Sequence, residues 1–216
     1  MNEVHFNPKK FLVGEAYLIF CKGFRAALHA AFSKARKEID GEFQERIMFA
    51  VTEVNGCEVC SYYHTQVALE KGMTEEEIQM LLSGNYETIP TDESTAILFA
   101  QHYADTRGFP SEKSWEKLIE TYGKAKADQI LSYIQIMMMG NVMGIPLSAF
   151  KNRLKGNPTE NSNLAYELLM MVLPIVFFLV SLVHVLILEI FRIPRIRFSD
   201  VSESAYQSQN REKQDL

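Results

Sequence analysis

Apolar residues recur at intervals of three and four along almost the whole chain of 216 residues, which is the pattern of amphipathic helices. No segment combines apolar–polar alternation with β-branched residues between turn signals, so no β-sheet is predicted. Seven helices ending near residue 150 are expected, at about 11–37, 41–54, 57–71, 74–83, 92–106, 111–122 and 125–143. The sequence therefore predicts an all-α fold.

The apolar stripes of the first two helices identify residues expected in the core. The stripe of the first helix is Phe11, Leu18, Phe24, Leu28 and Phe32, and that of the second is Phe43, Ile47, Ala50, Val51 and Val54. A surface helix of a globular protein buries such a stripe against its neighbours. We expect both helices to face the core through these side chains.

The composition changes twice after residue 150. Residues 151–163 (KNRLKGNPTENSN) are polar and rich in turn formers, which is typical of a linker. Residues 168–188 (LLMMVLPIVFFLVSLVHVLIL) contain no Asp, Glu, Lys or Arg. As a helix this segment is roughly 30 Å long, about the thickness of a bilayer core. Its apolar residues surround the helix, which favours a membrane helix over a helix buried in an oligomer core.

These changes predict five regions along the chain. They are an N-terminal helical extension (1–40), a helical domain (41–150), a linker (151–163), a transmembrane or membrane-anchoring helix (164–191) and a polar tail (192–216). The N-terminus does not have the pattern of a signal peptide. We therefore expect a membrane-associated protein whose helical domain lies in the cytoplasm.

The overall composition limits the possible functions. A hydrophobic fraction of 47% with 23% charged residues is sufficient to fill a core. The net charge of −5, without a dense Lys/Arg cluster in the first 150 residues, argues against nucleic-acid binding. Three cysteines do not make a disulfide framework, and their odd number suits a reducing compartment.

The motif NGCEVCSYYH, residues 55–64, is the main candidate for chemistry. Haem attachment requires a histidine directly after the second cysteine, where Ser61 stands. A structural zinc site is disfavoured because a second pair of ligands is missing. A structural disulfide between Cys57 and Cys60 would close a loop too short to add much stability. Redox chemistry remains, with two small buried hydrophobic residues as the alternative.

The spacing of the motif favours redox chemistry. Cys57 stands at the start of a helix, where the helix dipole and the unpaired amides lower the pKa of a thiol. Cys60 and His64 follow on the same helical stripe, so that His64 can take or return a proton. If the preceding helix packs against this one, Glu45 can reach His64 and orient it.

A glutamate followed after eleven residues by Cys-x-x-Cys-x-x-x-His resembles a known family. Glu45, Cys57, Cys60 and His64, followed by GMTEEEI, are similar to the alkylhydroperoxidase-D-like members of the carboxymuconolactone decarboxylase superfamily. The similarity covers roughly residues 40–150. It implies an all-α domain that assembles as a homo-oligomer, commonly a trimer or hexamer.

The resemblance also implies roles for the four residues. Cys60 attacks a peroxide or exchanges with a disulfide, Cys57 resolves the product, and His64 and Glu45 relay protons. Electrons come from a thiol reductant, and no bound cofactor or metal is required. One departure is Val59, which stands where family members often carry a histidine or tyrosine, so a proton-relay role at that position is lost.

The expected function is therefore a thiol-dependent peroxidase or disulfide oxidoreductase held at a membrane. A redox-sensing oligomeric module would oxidise the same cysteine pair without turnover. A lyase of the decarboxylase type would act through His64 and Glu45 alone and survive the loss of both cysteines. The presence of the cysteine pair makes the lyase the less favoured alternative.

Overall fold

The computed structural model of the protein describes residues 7–33, 38–86 and 89–199. All regular secondary structure in these residues is helical. The helices are α1 (Val13–Phe32), α2 (Gly41–Asn55), α3 (Glu58–Glu70), α4 (Glu75–Leu82), α5 (Ser94–Asp105), α6 (Glu112–Leu154) and α7 (Leu164–Ile190). The predicted all-α fold with a long apolar C-terminal helix is confirmed.

Helix α6 is the central helix of the fold. Five other helices pack against it, namely α1, α2, α3, α5 and α7. Its backbone leaves the helical conformation at Gly123, where the sequence predicts a break between two helices. The second of these was expected to end near residue 143, but it continues through Pro146 to Leu154. Burial of Ile145 and Ala149 against the core offsets the hydrogen bond that proline removes.

Only two residues, Gly56 and Cys57, connect α2 to α3. Gly56 ends α2 in the left-handed conformation with φ 69°, and its N–H donates to the Thr52 carbonyl. A Cβ on Gly56 would lie 2.4 Å from the Asn7 carbonyl oxygen. Glycine is therefore required at this position, both for its conformation and for space. Cys57 follows directly and starts α3.

The predicted core stripe is correct in α2 but only partly correct in the first helix, where Phe11 is buried and Phe24 half-buried. Phe43, Ile47, Ala50 and Val51 of α2 are buried. In α1, Leu18, Leu28 and Phe32 are exposed, and the buried residues include Ala16, Ile19, Phe20 and Ala26. Helix α1 is apolar around much of its circumference, so spacing alone does not decide which side faces α6.

The predicted boundaries at residues 40 and 150 do not separate structural units. Phe11 and Phe20 from the predicted extension, and Met170 and Phe177 from α7, belong to the same core as α2, α5 and α6. Residues 151–154 of the predicted linker form the last turn of α6. The described part of the chain therefore has α1 and α7 as members of its main core.

The predicted polar tail is also corrected in part. Ile196 and Phe198 pack against the main core, and the Ser199 N–H donates to the Pro110 carbonyl. Hydrophobic side chains within this stretch explain why it folds back onto the domain. The remainder of the predicted tail, 200–216, lies outside the described residues, as do residues 1–6 and 34–37.

Helix α7 runs beside α1 in the same direction, with its polar groups turned inward. These groups are paired, Glu167 with Arg153, His184 with Tyr17, and Glu189 with Arg25 and His29. Helices α6 and α7 are both long and apolar enough to cross a membrane. The apolar window of α6 is 72% buried and that of α7 only 17%, so α6 is a core helix and α7 presents its apolar surface outward.

Candidate active site

Cys57 and Cys60 are joined by a disulfide at the start of α3. Cys57 is the residue that caps the helix, and its Sγ accepts a hydrogen bond from the Cys60 N–H at 3.3 Å. Cys57 is fully buried, whereas Cys60 keeps 7% of its surface exposed. The predicted position of Cys57 at the helix head is confirmed, and Cys60 is the more exposed residue of the pair.

Helix α6 forms the floor beneath the disulfide. A Cβ placed on Gly144 would lie 2.6 Å from both sulfur atoms, so the backbone of α6 touches them directly. The Gly140 carbonyl oxygen lies 3.7 Å from Cys60 Sγ, within reach of a thiol proton when the pair is reduced. Glycine within a helix costs about 1 kcal/mol relative to alanine, and close packing against the dithiol explains Gly144.

Ser148 connects the start of α3 to α6. Its Oγ accepts a hydrogen bond from the Val59 N–H at 3.0 Å and donates to the Gly144 carbonyl at 3.1 Å. The first N–H groups of a helix have no partner within the helix, so Ser148 satisfies one of them at the dithiol. The side chain of Val59 offers no proton relay, but its backbone fixes the position of the motif.

Asn55 fixes the end of α2 behind the dithiol. Its Nδ2 donates to Asn141 Oδ1 at 2.9 Å, and both side chains are fully buried. Because Asn55 is two residues before Cys57, this hydrogen bond ties the approach to the motif to the same helix that forms its floor.

Glu45, His64 and Lys71 form a hydrogen-bonded group one turn further along α3. Glu45 Oε2 lies 2.6 Å from His64 Nδ1, and Glu45 Oε1 accepts from Lys71 Nζ at 2.7 Å. The expected contact between Glu45 and His64 is therefore present, with the glutamate 1% exposed. Lys71 was missed by sequence reasoning, although it stands seven residues after His64 on the same face of α3.

The surroundings of Glu45 keep it ionised. Burial alone would raise the pKa of Glu45, but hydrogen bonds from His64 and Lys71 outweigh burial and lower this pKa. An ionised carboxylate at this distance is an acceptor for an N–H at His64 Nδ1, and this contact leaves His64 Nε2 outside the pair with Glu45. The rings of Phe49 and Tyr63 lie nearly perpendicular to the imidazole, with ring centroids 6.5 Å and 5.3 Å from it.

The disulfide and His64 therefore lie along α3, and residues of α2 and α6 contact them. Helix α3 carries the disulfide and His64, α2 supplies Glu45, and α6 supplies Gly144 and Ser148. Among residues 7–33, 38–86 and 89–199, no cluster of three or more His, Cys, Asp or Glu side chains could hold a metal ion. The site brings together a disulfide-forming cysteine pair and, one turn later on α3, a histidine hydrogen-bonded to a buried glutamate.

Comparison with known proteins gives one match. Residues 20–100 match the Carboxymuconolactone decarboxylase family, which confirms the resemblance seen in the motif. The matched range runs from within α1 to within α5, beginning earlier and ending earlier than the range expected from the sequence. It contains Glu45, both cysteines of the disulfide and His64. No curated protein matches the chain, and no solved structure does.

Proposed function

We propose that this chain, a carboxymuconolactone decarboxylase family protein through residues 20–100, is a thiol-dependent peroxidase. The observation that carries the proposal is the disulfide at the head of α3 beside the Glu45–His64 pair. A dithiol with an adjacent base and a buried carboxylate to orient that base can complete a peroxidase cycle. The catalytic roles of Cys60, Cys57, His64 and Glu45 are part of this proposal.

In the first step the reduced Cys60 thiolate attacks one oxygen of a hydroperoxide. The S–O bond forms as the O–O bond breaks, so sulfur is oxidised to a sulfenic acid and the hydroperoxide is reduced to an alcohol. The proton that His64 Nε2 takes from the thiol returns to the leaving alkoxide. The greater exposure of Cys60 supports its role as the attacking sulfur.

In the second step the Cys57 thiol attacks the sulfur of Cys60. The S–O bond breaks, water leaves with the Cys57 proton, and the Cys57–Cys60 disulfide forms. Two equivalents of a thiol reductant then reduce the disulfide and are themselves oxidised to a disulfide. The buried position of Cys57, within hydrogen-bond distance of the Cys60 backbone, suits a resolving cysteine.

Hydroperoxide consumption by the full chain tests this proposal. With tert-butyl hydroperoxide and dithiothreitol, we expect many equivalents consumed per chain, complete loss in Cys60→Ser, and full activity in Cys21→Ala. Cys21 is the matched control because it is a buried cysteine outside the disulfide. Oxidation of only one equivalent per chain would indicate a redox sensor, and unchanged activity in Cys60→Ser would contradict the proposal.

We also propose that the outward face of α7 attaches the protein to a lipid bilayer. At 100° per residue, its exposed apolar side chains cover an arc of about 200°, wider than the stripe that one partner helix buries. The polar side chains of α7 face the domain instead, as polar groups of membrane helices do. In this arrangement the helical domain covers one side of α7 and lipid covers the other. The catalytic site then lies on the cytoplasmic side of the membrane.

A homo-oligomer, a trimer or hexamer, is the assembly we propose. Tyr62 and Tyr63, exposed on α3 beside His64, support this because exposed aromatic residues are enriched at protein interfaces. The mass of the detergent-solubilised chain, measured by light scattering, tests the proposal. A monomeric mass at working concentrations would contradict it.

A further inference from the structure

A cavity of about 80 Å³ lies between α1, the end of α7 and the segment that follows α7. Leu18 and Lys22 of α1 and Arg197 of the following segment are among the residues that line it. Leu18 and Lys22 also line a neighbouring cavity of about 570 Å³. None of the residues that line either cavity belongs to α2 or α3, which carry the proposed peroxidase site.

Lys22 is a half-buried cation on the wall that the two cavities share. Its Nζ donates to the Gly108 carbonyl at 2.8 Å and lies 4.4 Å from the centre of the Phe109 ring. Within the part of the chain that the structure describes, no carboxylate forms an ion pair with Lys22. An ammonium group has three N–H donors, so the single hydrogen bond to a carbonyl leaves donors for a ligand.

Arg197 places a second positive charge beside Lys22. Burial and the charge of Arg197 lower the pKa of Lys22 to about 8, so the two cations repel each other. The neighbours Ile196 and Phe198 pack against the main core and hold Arg197 in place despite this repulsion. Arg197 itself is exposed and forms no hydrogen bond or ion pair with another described residue. A ligand can therefore reach its guanidinium from solvent.

The other two arginines that line the small cavity are already compensated. Arg25 forms an ion pair with Glu189, and the charges of Asp128 and Glu189 act on Arg195. No Asp or Glu is among the described residues that line this cavity. The charges of Lys22 and Arg197 are therefore the ones without a counter-ion, and a group that binds between them must be an anion.

The size and position of the cavity favour the headgroup of a lipid. Sites for whole small molecules usually measure about 300–1,000 Å³, so this cavity has room for a small charged group only. Its wall includes the exposed Leu18 and also Leu188, which adjoins the exposed Ile187 on the outward face of α7. Lysine and arginine at the edge of a lipid-facing surface attract anionic headgroups, and both residue types bind phosphate oxygens well.

We propose that Lys22 and Arg197 bind the phosphate group of an anionic phospholipid. The phosphate oxygens accept hydrogen bonds from Lys22 Nζ and from the Arg197 guanidinium, and the acyl chains continue past Leu188 along the outward face of α7. The choice of a lipid as the ligand rests on the proposed attachment of α7 to a bilayer. The phosphate site itself does not require that attachment or the peroxidase activity.

Thermal unfolding of the full wild-type chain in a nonionic detergent tests the choice of ligand. Dioleoyl phosphatidic acid is compared with dioleoyl phosphatidylcholine, whose choline offsets the phosphate charge, and with glycerol 3-phosphate, which lacks the acyl chains. We expect phosphatidic acid to raise the melting temperature by at least about 3 °C and the other two by less than about 1 °C. Equal shifts with the two lipids would overturn the proposal, and an equal shift with glycerol 3-phosphate would overturn the lipid as the ligand.

Two variants test the residues in the same detergent. Arg197→Gln and Lys22→Met are each expected to lose most of the shift with phosphatidic acid, whereas Arg192→Gln should keep it. Arg192 is the matched control because it is an exposed arginine five residues before Arg197 that lines neither cavity. Arg197→Gln relieves the repulsion with Lys22, so its melting temperature without lipid should not fall.

An unchanged shift in Arg197→Gln would overturn the proposal even if Lys22→Met does not fold. Because these measurements are made in detergent, they do not depend on the attachment of α7 to a bilayer. Release of the wild-type chain from membranes by a carbonate wash would contradict that attachment alone.

Discussion

Gly144 allows α6 to pass directly beneath both sulfurs of the dithiol. The reduced pair needs more room than the disulfide, since two unbonded sulfur atoms cannot stay at bonding distance. A methyl group at position 144 would occupy that room, because its Cβ lies 2.6 Å from each sulfur. Gly140, one turn earlier, has open space around its Cβ position and provides a matched control.

The pair of variants Gly144→Ala and Gly140→Ala tests this role. Gly144→Ala is expected to lower hydroperoxide turnover at least about tenfold and to lower the melting temperature, since neither backbone can yield cheaply. Gly140→Ala should keep full turnover and gain up to about 1 kcal/mol of stability from helix propensity. Equal turnover in the two variants would show that contact with α6 does not matter to the dithiol.

Glu45 sets the tautomer of His64 through a single short hydrogen bond. In Glu45→Gln the side-chain amide can donate to Nδ1, which places the ring proton on Nε2 and removes the base that we propose acts on the Cys60 thiol. We expect turnover to fall by about tenfold to a hundredfold, within the range that general base catalysis contributes. Steady-state rates at saturating reductant measure the effect.

Lys71→Met is the comparison for Glu45→Gln. It removes one of the two hydrogen bonds to Glu45 but leaves the contact with His64 in place. Its turnover should therefore fall less than that of Glu45→Gln. A larger loss in Lys71→Met would mean that the lysine, and not the orientation of His64, is the essential partner of the carboxylate.

The elements differ in how much of their role the sequence predicts. The cysteine motif is local, so spacing and helix signals place Cys57 at the start of α3 with Cys60 and His64 after it, whereas the contact of Glu45 depends on how α2 packs against α3. Gly144 and Ser148 lie more than eighty residues later in the chain. Their roles depend on which face of α6 meets α3, and the periodicity of a nearly continuous apolar helix does not specify that face.

One face of α7 packs against α1 and α6, and we propose that the opposite face contacts lipid. The double variant Leu179→Asp with Val183→Asp changes only outward-facing, exposed positions. We expect much of this variant to be released from membranes by a carbonate wash, with the melting temperature in detergent unchanged.

Lys117→Glu is the charge-matched control for that double variant, because it also changes the net charge by −2 on an exposed side chain of α6. It should remain with the membrane as the wild type does. If the double variant also stays with the membrane, the outer face of α7 is not the attachment surface.

Across the whole molecule, the composition of the sequence predicts separate regions, whereas the structure packs residues from these regions into one hydrophobic core. Composition marks an apolar segment at 168–188 that lies within α7, but it does not reveal that residues 151–154 belong to α6 or that Phe177 packs with Tyr17 and Phe20. Helices α1 and α7 are more than 130 residues apart in the sequence and meet only through the fold. Long-range packing of this kind leaves no periodic signal in either segment.

The stability of the folded chain should fall in acid partly because of Glu45. The pKa of Glu45 is lowered on folding, so its ionised form stabilises the fold above the ordinary glutamate pKa of about 4.3. This contribution is lost as the pH falls through the lower pKa of the folded state. Thermal unfolding at pH 7 and pH 3.5 measures the loss.

Glu45→Gln carries no titrating group at this position. The difference in melting temperature between the wild type and Glu45→Gln should therefore shrink between pH 7 and pH 3.5. A constant difference across this range would contradict a lowered pKa for Glu45.

The most direct test of the account is a single oxidation of the Cys57→Ser variant. Without the resolving thiol, one equivalent of tert-butyl hydroperoxide should convert Cys60 to a sulfenic acid that dimedone traps, as found by mass spectrometry of the peptide. We expect one dimedone adduct, on Cys60, and one equivalent of alcohol released. An unmodified Cys60 with the hydroperoxide unconsumed would contradict it.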